Sequence, residues 1–216
     1  KVSVGMGTTC AIDTSGKLRC WGLDDQGQLG NGGSNSILDT PPSEPIDLGP
    51  GRTAVAVSAG NFHTCAVLDN GDLKCWGGNY YGQLGTGDGT STNAPSSTPI
   101  DLGTGRTAVA IDAGSQHTCA IVDNGTMMCW GYNNDGELGL GNRTSDGSGA
   151  HQSLPISTHG NNAWDTTTTI ITWETHPALP AGMSISAGTI SGTPSVYALN
   201  QTYTIYANQS GYSTTH

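Results

Sequence analysis

The sequence has few charged residues, and very few of them are cations. Charged side chains make up 11% of the 216 residues, only seven are Lys or Arg, and the formal net charge is −10. Long surface helices are built from Glu, Lys, Arg and Ala, so this composition disfavours a helical fold. Nucleic-acid binding needs clustered cations that displace counterions from phosphates, and the seven cations are scattered. A nucleic-acid partner is therefore not predicted.

Long apolar runs are also absent. No stretch reaches the roughly 18 consecutive apolar residues of a membrane-spanning helix, so membrane insertion is not predicted. The hydrophobic fraction is 34%, below the roughly 45–50% typical of globular domains, which indicates a thin, repetitive core. No signal-peptide pattern is present, and the sequence opens inside a strand pattern. We therefore expect a mature or excised piece of a longer polypeptide.

Catalytic motifs are missing as well. We find no paired-carboxylate motif, nucleophile elbow or Gly-Lys-Ser phosphate loop. His63 and His117 open two related segments in which Thr8 takes the same place in a third, so we expect them to form structural hydrogen bonds. For the Asp- and Asn-rich stretches 24–25 and 133–135, calcium binding is the alternative to simple turn formation. We predict no enzyme, and no catalytic, cofactor-binding or metal-binding residue.

What the sequence does contain is an internal repeat. Three segments align without gaps: TTCAIDTSGKLRCWG (8–22), HTCAVLDNGDLKCWG (63–77) and HTCAIVDNGTMMCWG (117–131). Alternating strand patterns flank them, and we assign the fourth strand of each unit to PIDL (45–48 and 99–102), with LPIS (154–157) in the same place of the third unit. Four short strands in roughly 50 residues are typical of a propeller blade.

The turns predict how the cysteines pair. In the second unit, Asp69-Asn70-Gly71 forms a three-residue hairpin loop with Gly in the left-handed position, a favoured type. Residues whose numbers sum to 140 then face each other, so Cys65 lies opposite Cys75, close enough for a disulfide. The same register in all three units predicts the pairs Cys10–Cys20, Cys65–Cys75 and Cys119–Cys129.

Two other interpretations of the cysteines remain. One is six reduced, buried thiols in a cytosolic protein, although reducing compartments rarely keep such pairings. The other is zinc, although structural zinc usually has ligands two to four residues apart. The disulfide interpretation predicts an oxidising, extracellular or cell-surface location.

The repeat resembles the regulator-of-chromosome-condensation repeat. The segment HTCAVLDNGDLKCWGGNYYGQLGTG carries its signature: a D-x-G turn, a WG pair and a G-(Q/E)-L-G-x-G loop, recurring over about residues 2–158. The resemblance implies β-propeller blades, usually seven to a ring. Nuclear members exchange nucleotides or bind histones, but the cysteine pairs look like a secreted microbial branch, in which some members inhibit enzymes through their loops. Trp21, Trp76 and Trp130 hold the WG position and are expected in the core.

The domain expectation follows from these patterns. We predict an all-β protein, with three propeller repeats over 1–160, at about 1–48, 49–102 and 103–158. Three blades cannot close a ring, so they form an open arc or belong to a larger propeller. The segments LPAG (179–182), GTISGTP (188–194) and TYTIYA (202–207) resemble the immunoglobulin-like modules of microbial surface proteins. They predict a small β-sandwich over 165–216 that lacks an edge strand.

The functional prediction is an extracellular, non-enzymatic binding or adhesion module. Its contact surface would be the inter-blade loops 31–45, 86–99 and 140–154, with a protein or glycan as ligand. The alternatives are a structural subunit of a filament or surface assembly, completed by self-association at the open propeller or sandwich edge, and a secreted enzyme inhibitor. No cofactor is predicted. Candidate N-glycosylation sequons lie at Asn124, Asn142, Asn200 and Asn208.

Overall fold

The fold consists of β-strands. The computed structural model describes residues 1–33, 36–141, 143, 151–157, 171–176, 183–186, 189–192 and 204–209. Every regular element within these ranges is a strand, so the all-β prediction is confirmed. The same ranges hold no helix that could span a membrane. The chain divides into two compact units, Lys1–Trp164 and Asp165–His216, which are described separately below.

The first unit contains three antiparallel sheets, one for each sequence repeat. The first sheet has four strands in chain order: β1 (Val2–Val4), β2 (Thr8–Ile12), β3 (Leu18–Asp24) and β4 (Ser36–Leu38). The second has three: β5 (Ala54–Ala59), β6 (His63–Leu68) and β7 (Leu73–Gly77). The third has four: β8 (Ala108–Ala113), β9 (His117–Val122), β10 (Met127–Tyr132) and β11 (His151–Ser157). Each sheet is a propeller blade, as the repeat predicts.

The central hairpins have the predicted register. In the second blade Cys65 pairs with Cys75 across a loop in which Gly71 has φ 82°, a conformation that favours glycine. The Cα atoms of each cysteine pair lie 4.1 Å apart, and all three disulfides are present: Cys10–Cys20, Cys65–Cys75 and Cys119–Cys129. None of the six cysteines is free.

The prediction that PIDL forms a fourth strand is wrong for the first two blades. Residues 45–48 and 99–102 are not in strands, and each segment gives only one ladder-type bond, from Ile46 N to Leu18 O and from Ile100 N to Leu73 O, both 2.8 Å. The preceding Pro45 and Pro99 have no N–H to extend the pairing. The outer strand lies earlier in the chain, at β4 in the first blade and at a bridge between Gly77 and Thr92 in the second. In the third blade LPIS does lie in a strand, β11.

The hydrophobic core lies between the blades. One cluster joins Cys10, Ile12 and Leu18 of the first blade to Leu68 and Trp76 of the second. An equivalent cluster joins the second blade to the third through Val67, Leu73, Leu84, Val122 and Trp130. Trp76 and Trp130 are fully buried, as their WG positions predict, whereas the core prediction is wrong for Trp21, which is half-buried. Each blade therefore buries its apolar side chains against the next one, which is how a stack of small sheets obtains a core.

The second unit has two pairs of strands among its described residues. Strands β12 (Ile171–His176) and β15 (Thr204–Gln209) pair antiparallel, and β13 (Met183–Ser186) forms a hairpin with β14 (Thr189–Gly192). The LPAG segment lies outside the described residues, as do Asn142 and Asn200. GTISGTP and TYTIYA are described in part, at β14 and at the start of β15.

We expect each disulfide to stabilise its blade. The cysteines are ten residues apart, and closing a loop of this size restricts the unfolded chain by about 2–3 kcal/mol in the chain-entropy model. Replacing both Cys65 and Cys75 by Ser should lower the free energy of unfolding by about that amount in urea titrations. The matched change at Cys10 and Cys20 opens a loop of the same length between equally buried cysteines, so it should cost about the same. Equal stability of both variants and the parent would contradict this account.

Candidate binding site

The blades are joined by a repeated pair of hydrogen bonds. The main-chain oxygen of Gln28 in the first blade accepts bonds from Thr64 Oγ1 (2.9 Å) and Trp76 Nε1 (3.1 Å) of the second. The oxygen of Gln83 accepts equivalent bonds from Thr118 Oγ1 (2.8 Å) and Trp130 Nε1 (2.9 Å) of the third. All these groups are buried, where an unpaired N–H or O–H would cost about 1–3 kcal/mol. We call this arrangement the Thr–Trp latch.

The latch needs glycine on the accepting loop. A Cβ atom placed on Gly30 would lie 2.4 Å from Nε1 of Trp76, and one on Gly85 would lie 2.7 Å from Nε1 of Trp130. Both distances are below any real Cβ contact. The second Gly of the G-(Q/E)-L-G signature is therefore present because the indole of the next blade lies against its backbone.

His63 completes the junction between the second and third blades. Its Nε2 lies 2.9 Å from Thr118 Oγ1. Because the Thr118 hydroxyl donates to Gln83 O, its oxygen accepts the Nε2–H of His63. The imidazole is fully buried, and burial, with a smaller contribution from His117, lowers its pKa to about 3. His63 is thus a neutral structural residue, the role that its repeat position predicts.

The loop after the third strand of each blade is held by one side chain. Asn79 Oδ1 accepts a bond from Leu84 N at 2.9 Å, and its Nδ2 donates to Thr86 Oγ1, Asp88 O and Thr90 O at 2.9–3.2 Å. Asp24 and Asn133 make the corresponding Oδ1 bonds, to Leu29 N and Leu138 N. The Asp- and Asn-rich stretches therefore build turns. Among the described residues, no three His, Cys, Asp or Glu side chains come together as metal ligands.

Three tyrosines gather on the face that this loop forms. Tyr80 and Tyr81 follow Asn79 directly, and their rings meet edge to face with centroids 4.9 Å apart. Tyr81 also meets Tyr132 of the third blade, at 5.0 Å. The Tyr80 side chain is 79% exposed. A protein with 6% aromatic residues thus concentrates three of them on one surface of the second and third blades.

Two of the tyrosines, Tyr80 and Tyr81, line a groove of about 290 Å³. All three blades contribute to its lining: Gln26, Phe62, Gly78, Tyr80, Tyr81, Gln83 and Gln116. Among the residues that the structure describes, the lining contains the only Phe of the sequence and no ionisable acid or base other than tyrosine. The groove therefore offers aromatic faces and amide groups, a combination suited to an uncharged ligand surface. We call it the tyrosine groove.

The repeats show that the fold does not require these tyrosines. The position of Tyr80 is occupied by Asp25 in the first blade and Asn134 in the third. The bond from Tyr81 N to Gln83 Oε1 (2.9 Å) also recurs, from Gln26 N to Gln28 Oε1 in the first blade. The local backbone is therefore the same with or without an aromatic side chain. Sequence analysis missed this site, although the unequal residues at these loop positions are a signal that could have revealed it.

The loops expected to form the contact surface partly hold the blades together instead. In loop 86–99, Asn93 packs against the first blade. Its main-chain oxygen accepts a hydrogen bond from Gly32 N and its Nδ2 donates one to Gly32 O, both at 2.9 Å. A Cβ atom placed on Gly27 would lie only 2.7 Å from the Cα of Asn93. Ser153 packs against Gly82 in the same way, and its main-chain oxygen accepts a hydrogen bond from Gly87 N. Parts of loops 31–45 and 140–154, at 34–35, 142 and 144–150, are outside the described residues. Of the sequons, Asn124 lies half-buried in the third hairpin turn.

We expect His63 to make the protein sensitive to acid. Its folded pKa, about 3, lies below its ordinary value of 6.5, so as the pH falls the unfolded chain binds a proton first. The stability that neutral His63 provides is therefore complete above pH 6.5 and is lost progressively towards pH 3. His63→Thr, which copies Thr8 of the first blade, should flatten the dependence of unfolding free energy on pH in that window. His117→Thr is the matched control, and a slope unchanged by His63→Thr would contradict the prediction.

Asp24 should act in the opposite direction. Burial raises the pKa of this carboxyl group, so the folded state holds its proton more tightly, and stability falls as the pH rises from 3.8 through the folded pKa. Asp24→Asn, the residue of the other two blades, keeps the bond to Leu29 N and removes the buried charge. We expect a higher melting temperature at pH 7 and a smaller difference between pH 7 and pH 4. Asp25→Asn is the control, and a less stable Asp24→Asn protein would refute the assignment.

Family models match both parts of the chain. Two models described as "Regulator of chromosome condensation (RCC1) repeat" match, one at residues 1–28, 54–83 and 108–137 and the other at 15–67 and 70–121. A model described as "Putative Ig domain" matches residues 142–216. The latter match begins before β11, which pairs with β10 in the third blade.

Curated relatives share the repeat over part of their length. The Arabidopsis thaliana ultraviolet-B receptor UVR8 is 33% identical over 144 residues, which are 66% of this chain and 32% of the receptor. The Xenopus laevis protein RCC2 homolog is 34% identical over 67% of this chain and 28% of its own length. The chain thus spans about a third of these relatives.

Solved structures show the same fold. The yeast RCC1 protein Prp20, in a crystal structure with Kap60, gives a TM-score of 0.60 at 20% identity, covering 74% of this chain and 37% of Prp20. Human WBSCR16 gives 0.60 at 24% identity, covering 74% of this chain and 42% of that structure. Repeat models, relatives and folds agree with the three blades described above, and the chain belongs to the regulator of chromosome condensation repeat family, with an immunoglobulin-like segment after its blades.

Proposed function

We propose that this chain is an extracellular, non-enzymatic binding module whose tyrosine groove contacts an uncharged surface of a protein. The observation that carries the proposal is the aromatic cluster of Tyr80, Tyr81 and Tyr132, which the repeat scaffold does not need. Tyrosine is enriched at the centres of protein interfaces, because its ring supplies contact area at low entropic cost and its hydroxyl can still form hydrogen bonds.

Relatives of this fold support protein ligands. The solved structures include yeast RCC1 bound to Kap60 and a study of Prp20p with its binding properties to Gsp1p and histones. The tyrosine groove favours a different partner surface, because its described lining residues carry no formal charge at neutral pH. A strongly basic or acidic protein would gain little from such a surface.

The location outside the cytosol is proposed from the disulfides. All six cysteines are paired within the blades, and such bridges persist in oxidising compartments. The relatives named above do not decide the matter, since the chain covers only about a third of each. The human ubiquitin ligase HERC2 is 30% identical, but the matched part is only 3% of its length. We therefore do not extend its ligase activity to this chain.

The tyrosine groove can be tested with substitutions that the repeats themselves supply. Tyr80→Asn and Tyr81→Gln place the residues of the third and first blades in the second, so we expect the fold and melting temperature to stay unchanged. Labelled protein should bind saturably to intact cells of the source organism, and the double variant should bind at least about tenfold more weakly, as expected when interface tyrosines are removed.

Two controls decide the interpretation. Protease treatment of the cells should abolish binding, whereas loss of binding only after periodate treatment would identify a glycan ligand and refute the protein proposal. Asn70→Ser, in the hairpin turn at the opposite end of the second blade, should bind like the parent. Equal binding by the tyrosine variant and the parent would exclude the groove as the contact site.

A further inference from the structure

Two carboxamide groups of the tyrosine groove are not used by the fold. The side-chain amides of Gln26 and Gln116 make no hydrogen bond to any residue that the structure describes, although main-chain atoms of both residues are bonded. Gln83 differs, because it is buried and its Oε1 accepts a bond from Tyr81 N. The first and third blades therefore each bring a free amide to a groove whose aromatic rings belong to the second.

The groove is bounded by described blades on both sides. The second blade, which supplies most of the lining, packs against the first through one core cluster and against the third through another. A Cβ atom placed on Gly78 would lie 3.3 Å from the Cβ of Phe62 and 3.4 Å from the Cβ of Gln26. Residues from two different blades thus meet across Gly78, which forms the floor between them.

The groove offers no main-chain edge to a partner strand. None of its seven lining residues lies in a strand, so the groove lacks the sheet edge that strand addition requires. Main-chain atoms of the lining are also bonded already: Gly78 N donates to Phe62 O at 2.7 Å, and Gln83 O accepts both bonds of the Thr–Trp latch. Recognition at this surface must therefore come from side chains.

The lining also disfavours helical and charged peptides. An amphipathic helix docks a row of apolar anchors along a hydrophobic groove, whereas this groove measures about 290 Å³ and has no aliphatic side chain among its described residues. Phosphorylated and acidic motifs are bound by clusters of arginine, and the described lining contains neither Lys nor Arg. The peptide that fits is uncharged, apolar in its side chains and rich in free carbonyl groups.

We propose that the tyrosine groove binds a proline-rich segment in the polyproline II conformation, an inference that rests on the proposed function and names its partner class. Such a segment has no internal hydrogen bonds, so its carbonyl oxygens can accept from the amides of Gln26 and Gln116. Its pyrrolidine rings pack on the aromatic side chains of Phe62, Tyr80 and Tyr81. Because its conformation is largely fixed before binding, little entropy is lost when it docks.

The packing of the tyrosine rings suits this ligand. The planes of Tyr80 and Tyr81 lie at 83° to each other, and those of Tyr81 and Tyr132 at 74°. Neighbouring rings therefore present a face beside an edge, which makes a ridged surface rather than a flat one. A polyproline II helix has three residues per turn, so its rings also stand out as ridges that can lie between the aromatic ones.

Isothermal titration calorimetry of the full chain with decaproline, acetylated and amidated to remove its terminal charges, tests the proposal. The control peptide is an equally long, equally capped chain of Gly and Ser, which is a flexible coil without pyrrolidine rings. We expect decaproline to bind saturably and the control not to bind. Tyr80→Asn combined with Tyr81→Gln should weaken decaproline binding at least about tenfold, whereas Asn70→Ser should bind it like the parent.

The two free amides provide a second measurement. Gln26→Leu and Gln116→Leu keep much of the side-chain volume but remove the carboxamide, and each should weaken decaproline binding about two- to tenfold, the range for the loss of one neutral hydrogen bond. Circular dichroism and the melting temperature check that these variants fold. Unchanged affinity in both variants, or equal decaproline binding by the parent and the tyrosine variant, would overturn the proposal.

Comparison with the cell-binding assay separates the two possible failures. If cells bind the parent but not the tyrosine variant, and decaproline binds neither protein, then the groove is the contact site and the proline-rich partner class is wrong. If decaproline binds the parent and not the tyrosine variant, while cells bind both proteins equally, then the partner class is supported and the groove is not the contact with the cell surface.

Discussion

The position of each blade on the next depends on two main-chain oxygen atoms, those of Gln28 and Gln83. Each accepts a hydroxyl and an indole N–H from the next blade, and each lies in an apolar junction where an unmade bond is costly. A hydrophobic contact alone is non-directional and would let one thin sheet slide over another. The paired bonds give each junction a single register, so the same turn, glycine and tryptophan must return in every repeat.

Charge has little part in holding this structure together. Three ion pairs are present among the described residues, Arg19–Asp13, Arg52–Asp69 and Arg106–Asp123, and their side chains are 28–42% exposed. Exposed pairs of this kind contribute about 0–1 kcal/mol each. The structure is stabilised instead by disulfides within the blades and by buried hydrogen bonds between them. This is consistent with a composition of 11% charged residues. The surface is thereby left free to carry features that the scaffold does not need.

The repeats act as an internal standard for deciding which residues serve the fold. Positions that agree in all three blades, such as the cysteines and the WG tryptophans, have structural contacts in the second and third blades. Positions that differ, such as Tyr80 against Asp25 and Asn134, share a backbone conformation without sharing a side chain. The tyrosine groove lies at such positions, and for this reason it is the surface on which function can differ while the propeller stays the same.

The local structure can be predicted from the sequence alone. The hairpins, their register and the cysteine pairs follow from three-residue turns, because these contacts join residues about ten apart. The sequence did not determine the outer strands, because PIDL has strand-like residues but its proline cannot continue a ladder, and an earlier segment pairs instead. Three contacts become visible only in the folded chain: the hydrogen bond from Trp76 to Gln28 O, the hydrogen bond from His63 to the Thr118 hydroxyl, and the ring contact between Tyr132 and Tyr81. Those contacts join residues about 50 apart, and their geometry depends on how one blade packs on the next, a relation that no local pattern encodes.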